Sequence, residues 1–170
     1  MNEKRKTPAA RMALGGVLAA LAVVIMSLGG LIPILTYVSP MLCALLLQVV
    51  LLGCGERVAW AWYGAVAILS ALLSADKEAA AAFLFLGYYP IVKPKIDKLH
   101  LRWLWKLLLF NVSVGVMYFI LLGLLGLPEL SQEFRQTGVG MLAVMLLLGN
   151  VTFLLLDRLL NRGRILWRKH

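Results

Sequence analysis

Apolar runs alternate with short polar breaks along the chain, and nearly all the charge is gathered into the breaks. The first run, about Met12 to Ile32, matches the ~20 residues that a helix needs to cross a bilayer core. Pro33, Thr36, Ser39 and Pro40 then predict a short turn, because proline resists helix interiors. A second span runs from about Met41 to Leu52 and ends at Gly53-Cys-Gly-Glu-Arg57. The third covers Val58 to about Leu73 and the fourth Ala79 to Val92; Ser74 or Asp76 is the N-cap of the fourth, with Glu78 in its first turn. After a basic stretch, the fifth runs from Trp103 to about Leu125. Leu127 to Thr137 forms the longest loop, and the sixth occupies Gly138 to Leu156. The pattern predicts an all-α polytopic membrane helix bundle of about six transmembrane helices, a single integral membrane domain over residues 1–170.

Spans two and four are short for a bilayer. A break at Gly87-Tyr-Tyr-Pro90 would make the fourth a discontinuous helix lining a cavity. The favoured reading has Pro90 stop the helix at the membrane surface, with Tyr88 and Tyr89 as interface anchors and polar ends completing the span.

Composition supports the membrane class. Hydrophobic residues make up 62% of the chain and charged ones 15%, too apolar for an ordinary soluble domain. The start resembles a signal peptide's basic n-region, but the apolar run after it is long and predicts a retained first span. The net charge of +9 would suggest nucleic acid if it covered one soluble face. Here it reports topology instead. With six spans, all Lys and Arg except Lys77 and Arg135 fall on one side. That asymmetry predicts a multi-pass plasma-membrane protein with a basic N-terminus (residues 1–11) and a basic tail (residues 157–170), both cytoplasmic. The stretch carrying Lys93, Lys95, Lys98 and Arg102 is then the main cytoplasmic loop. Trp60, Trp62, Trp103, Trp105 and Trp167 sit beside the same basic ends, as interfacial anchors do.

Candidate chemistry is sparse. His100 and His170 have no recognisable nucleophile or metal partner, and the chain carries no P-loop, HExxH or Gly-x-Ser-x-Gly motif. An enzyme is not expected, nor a metal site, nor any cofactor. Cys43 and Cys54 lie eleven residues apart in one segment, so a helix separates them by roughly 16 Å and precludes a bridge. No ionisable residue lies mid-span, which argues against a proton relay. Gln48, Asn111 and Asn150 lie at similar depth from their cytoplasmic ends and form a polar layer, more readily interhelical glue than a substrate site. At the outer side, Tyr37, Asp76, Glu78 and Tyr118 could rim a substrate-binding pocket; caps and solvated charges are the plainer alternative. Ala9 with Ala13, Gly15 with Ala19 and Gly16 with Ala20 place small residues four apart on the first span. Such a strip lets another backbone approach, inside the bundle or from a partner, and its position at the cytoplasmic end favours a partner.

The stretch Arg11-Met-Ala-Leu-Gly-Gly-Val-Leu-Ala-Ala-Leu-Ala22, with Gly53, Gly55 and Gly64 further on, resembles the S components of energy-coupling factor transporters. These are bacterial six-helix subunits that bind substrate and dock through small residues of their first helix on a transmembrane coupling subunit driven by paired ATPases. The resemblance implies that Ala13, Gly16 and Ala20 dock on the coupling subunit, and that a small-molecule ligand is captured from the outer face. The alternative is a membrane scaffold or morphogenetic protein, similar in size to the rod-shape protein MreD, that recruits cytoplasmic partners and membrane lipid through its basic loop and tail.

Overall fold

The computed structural model describes residues 8–28, 35–124 and 139–169. Its elements are α1 (Pro8–Leu28), α2 (Leu35–Cys54), α3 (Glu56–Leu73), α4 (Lys77–Leu86), α5 (Tyr89–Ile96), α6 (Arg102–Phe119) with a π turn continuing it (Ile120–Leu124), and α7 (Val139–Lys169). The fold is all-α. Among the described residues, four helical stretches are long and apolar enough to cross a membrane: Ala9–Leu28, Thr36–Cys54, Arg102–Gly123 and Ala143–Ile165. The chain is a membrane protein on that ground. The expected loop from Leu127 to Thr137, and Pro33 before α2, lie outside the described residues.

The chain forms two compact units, Met1–Pro94 and Lys95–His170. In the first, side-chain contacts fix the direction of each helix. Cys54 Sγ donates to the Arg11 carbonyl (3.3 Å) and Cys43 Sγ to that of Ala22 (3.5 Å), so α1 and α2 run antiparallel. Trp62 Nε1 donates to Gly15 O (3.0 Å) and Ser74 Oγ to Met26 O (3.0 Å), so α3 runs parallel to α1. The Tyr63 hydroxyl donates to Leu84 O, and α4 returns along α3. The result is an up-down-up-down bundle around Ala22, Met26, Leu47, Trp62, Val66 and Phe83. Gly55 makes the turn between α2 and α3 with φ +94°, a region that only glycine enters without strain.

Several expectations are corrected. Pro40 lies inside α2, which extends to 20 residues and is no longer short. Near a helix start one lost backbone bond is tolerable, and transmembrane helices accommodate proline when neighbours re-satisfy the freed groups. The fourth segment does break, at Gly87 and Tyr88, and Pro90 does not stop a helix: it is the second residue of α5. There its missing N–H costs nothing and its fixed φ suits the first turn. Tyr89 is fully buried, so it is no interface anchor. Trp62 likewise packs in the core, whereas Trp60, Trp103 and Trp105 are exposed as expected. Lys93 is not a loop residue; it is buried on α5, its ammonium 5.7 Å from the Tyr89 ring centroid. The basic tail continues α7 as helix through Lys169.

In the second unit α6 and α7 pack antiparallel. Lys106 meets Asp157, the Phe110 and Phe153 rings stack at 4.9 Å, and Asn111 meets Asn150, so numbers rise along α6 as they fall along α7.

Candidate functional site: two helix ends and a small-residue face

The end of the first unit that carries the start of α2 also carries the start of α4. Asp76 caps α4, its side chain accepting from Ala79 N (2.9 Å), which settles the choice between Ser74 and Asp76. Ser74 ties this corner to α1 and also donates to Asp76 O (3.1 Å). Lys77 Nζ donates to the carbonyls of Ala71 and Ser74, both at 3.0 Å, and so satisfies the C-terminal end of α3 where the helix dipole favours a cation. On this framework Tyr37 and Glu78, 41 residues apart in sequence, come together: the hydroxyl lies 3.4 Å from Glu78 Oε1. Of the four expected rim residues, Tyr37, Asp76 and Glu78 therefore share one end of this unit. Tyr118 belongs to the second unit, half-buried on α6.

The small residues of α1 divide between two faces. Gly15 is buried and accepts the Trp62 indole bond, and Ala19 is half-buried against the core. Ala13, Gly16 and Ala20 are exposed. A Cβ added at Gly16 would meet nothing within 4 Å. Together with Val17, Leu21 and Val24, which are also exposed, they form an apolar face that the first unit does not cover.

Two of the three residues of the expected polar layer, Asn111 and Asn150, meet between α6 and α7. Asn111 Nδ2 donates to Asn150 Oδ1 (3.0 Å) and Asn150 Nδ2 to Asn111 Oδ1 (3.3 Å); each amide also donates to the carbonyl one turn before it, Leu107 and Leu146, both at 2.8 Å. These amides are engaged with each other and with backbone, as interhelical glue requires. Gln48 is buried on α2 in the first unit.

One constellation is not expected from the hydropathy pattern. The charge pattern counts Lys106 among the topology-setting basic residues, yet its side chain is only 7% exposed. Its ammonium lies 2.6 Å from Asp97 Oδ1 and 3.0 and 3.2 Å from the two oxygens of Asp157. Both Lys106 and Asp157 sit inside stretches that can cross the membrane, so charge does enter the spans. The available signal was compensation: one basic and one acidic residue, each within two turns of a span boundary, on consecutive long helices. Hydropathy alone reads each as the end of a span.

Among the described residues no group of His, Cys, Asp and Glu could hold a metal ion. Cys43 and Cys54 are free thiols, both on α2. No protein-family model, curated protein or solved structure matches the chain at a significant level.

Proposed function

We propose that this chain is a substrate-capturing membrane subunit of the S-component kind, docking through α1 on a transmembrane coupling subunit that cytoplasmic ATPases energise. The observation that carries the reading is the division of the α1 small residues. Gly15 packs inside against Trp62, while Ala13, Gly16 and Ala20 remain exposed on an apolar face. Small residues spaced three and four apart on an outward face suit close approach of a second helix, because they let backbones come within van der Waals range. The topology in this reading is six spans in a bacterial plasma membrane with both termini cytoplasmic, α3 and the α4–α5 pair completing the four longer spans. The end bearing Tyr37 and Glu78 then faces outward, and the phenol and carboxylate form the polar part of a small-molecule site there.

Co-expression with a coupling subunit and its ATPases tests the docking. The complex should copurify with the unaltered chain and be lost with Gly16→Leu or Ala20→Leu. A complex indifferent to both substitutions would refute α1 docking. Capture is tested separately, by saturable thermal stabilisation with small molecules that Glu78→Gln and Tyr37→Phe weaken.

A further inference from the structure

We propose that the cytoplasmic end of the α6–α7 hairpin is a binding site for an anionic phospholipid, with Arg102, Arg158 and Arg162 on the headgroup phosphate and the exposed apolar flank of the hairpin on the acyl chains. The antiparallel contact of Lys106 with Asp157 fixes the register. Arg102 lies one turn from Lys106 towards the start of α6. Arg158 and Arg162 lie just past Asp157 towards the end of α7, in the same direction along the hairpin. Arg158 and Arg162 are four apart and so share a face of α7. All three guanidinium-bearing residues are exposed, and none makes an ion pair among the described residues.

The buried cluster explains why they are unpaired. Asp97 and Asp157 are the only carboxylates among the described residues of the second unit, and both are turned onto the Lys106 ammonium. Lys106 thus holds the acids one turn inside the surface and leaves a net basic rim above them. Planar guanidinium groups bind phosphate oxygens in bidentate fashion, so exposed arginines gathered at one end of the hairpin suit a phosphate.

The surface below the rim selects a lipid over a soluble polyanion. Trp103, Leu104, Trp105, Leu108, Leu155 and Leu159 are each about half exposed or more, and they continue the basic rim directly into an apolar flank. Depth agrees. From Ala143, where the crossing stretch of α7 begins, Arg158 and Arg162 lie about 22 and 28 Å along the axis at 1.5 Å per residue, close to the ~30 Å of a hydrocarbon core. Long side chains at that depth extend to the phosphate level.

Quenching of tryptophan fluorescence by brominated lipids in mixed micelles of the full chain measures the preference, because Trp103 and Trp105 flank the rim. Brominated phosphatidylglycerol should quench at much lower mole fraction than brominated phosphatidylcholine. Each basic residue near an anionic lipid surface contributes about fivefold, so Arg102→Gln/Arg158→Gln/Arg162→Gln should lower the preference by about a hundredfold. The corresponding triple lysine variant should keep most of it. Single Arg158→Gln and Arg162→Gln, both at exposed positions, should each lower it about fivefold, which preserves the test if the triple variant misfolds. Equal quenching by the two lipids, an unchanged preference in the glutamine variants, or displacement of the lipid by millimolar inorganic phosphate or by RNA would overturn the assignment.

Discussion

Replacing Lys106 with methionine removes an ammonium that both Asp97 and Asp157 contact while keeping an unbranched side chain of similar length. At an effective dielectric of about 20, an ammonium 2.6–3.0 Å from a carboxylate oxygen gains about 5–6 kcal/mol of Coulomb energy per pair. Most of that gain offsets the cost of taking three charges out of water, so the cluster itself adds little net stability. Breaking it is different. Lys106→Met leaves Asp157, 12% exposed, and Asp97, 28% exposed, without the ammonium that drew them inward. Loss of one partner of a buried ion pair costs about 3–5 kcal/mol, and a shift on the order of 10 °C in thermal unfolding follows for a chain of this size. Fluorescence-detected thermal unfolding in a neutral detergent measures it. Asp157→Asn should cost more than Asp97→Asn, because Asp157 is the more buried and offers both oxygens. Lys106→Met/Asp157→Leu should recover most of the loss, since an apolar pair of similar volume is close to neutral. Unchanged unfolding of Lys106→Met, or a double variant no more stable than the single, would refute the reasoning.

Other substitutions probe separate parts of the fold. Trp62→Phe keeps the ring in the core but removes its bond to Gly15 O; it should cost about 1 kcal/mol in thermal unfolding. Gly87→Ala should destabilise the α4–α5 turn by about 1–3 kcal/mol, because the new Cβ would lie 2.6 and 2.7 Å from Phe83 Cδ2 and Cε2 and against the Phe83 carbonyl. A double-mutant cycle on Asn111→Leu and Asn150→Leu should return a coupling of about 0.6 kcal/mol, the average for interhelical polar contacts in membranes.

How far the fold could be read in advance depended on whether a position answers to solvent or to a neighbour. Hydropathy located α1, α3 and α6 to within a few residues, because the bilayer imposes one requirement over a whole segment. Pro40 and Pro90 misled, since proline disfavours helix interiors yet is accepted near helix starts, and which applies depends on where the helix begins. Trp62, Lys93 and Lys106 were read as interfacial from the company they keep in sequence. Each is buried, and for Trp62 and Lys106 the partner lies on another element, Gly15 for one and Asp157 for the other. No local pattern encodes such a choice. Topology alone groups Tyr37 and Glu78, which suffices because α1 to α4 alternate in direction. Depth groups Gln48, Asn111 and Asn150 alike, and of these Asn111 and Asn150 meet, because amides in hydrocarbon find one another across facing helices; Gln48 lies on α2 in the other unit.

The central claim, that α1 presents an unused face to a partner helix, is tested most directly by a photo-crosslinking residue placed singly at Ala20 and at Ala22 in membranes holding the coupling subunit. Ala20 is exposed and Ala22 is fully buried, two residues apart on one helix. The account predicts adducts with the coupling subunit from position 20 and none from position 22. Adducts from neither position, or from both alike, would contradict it.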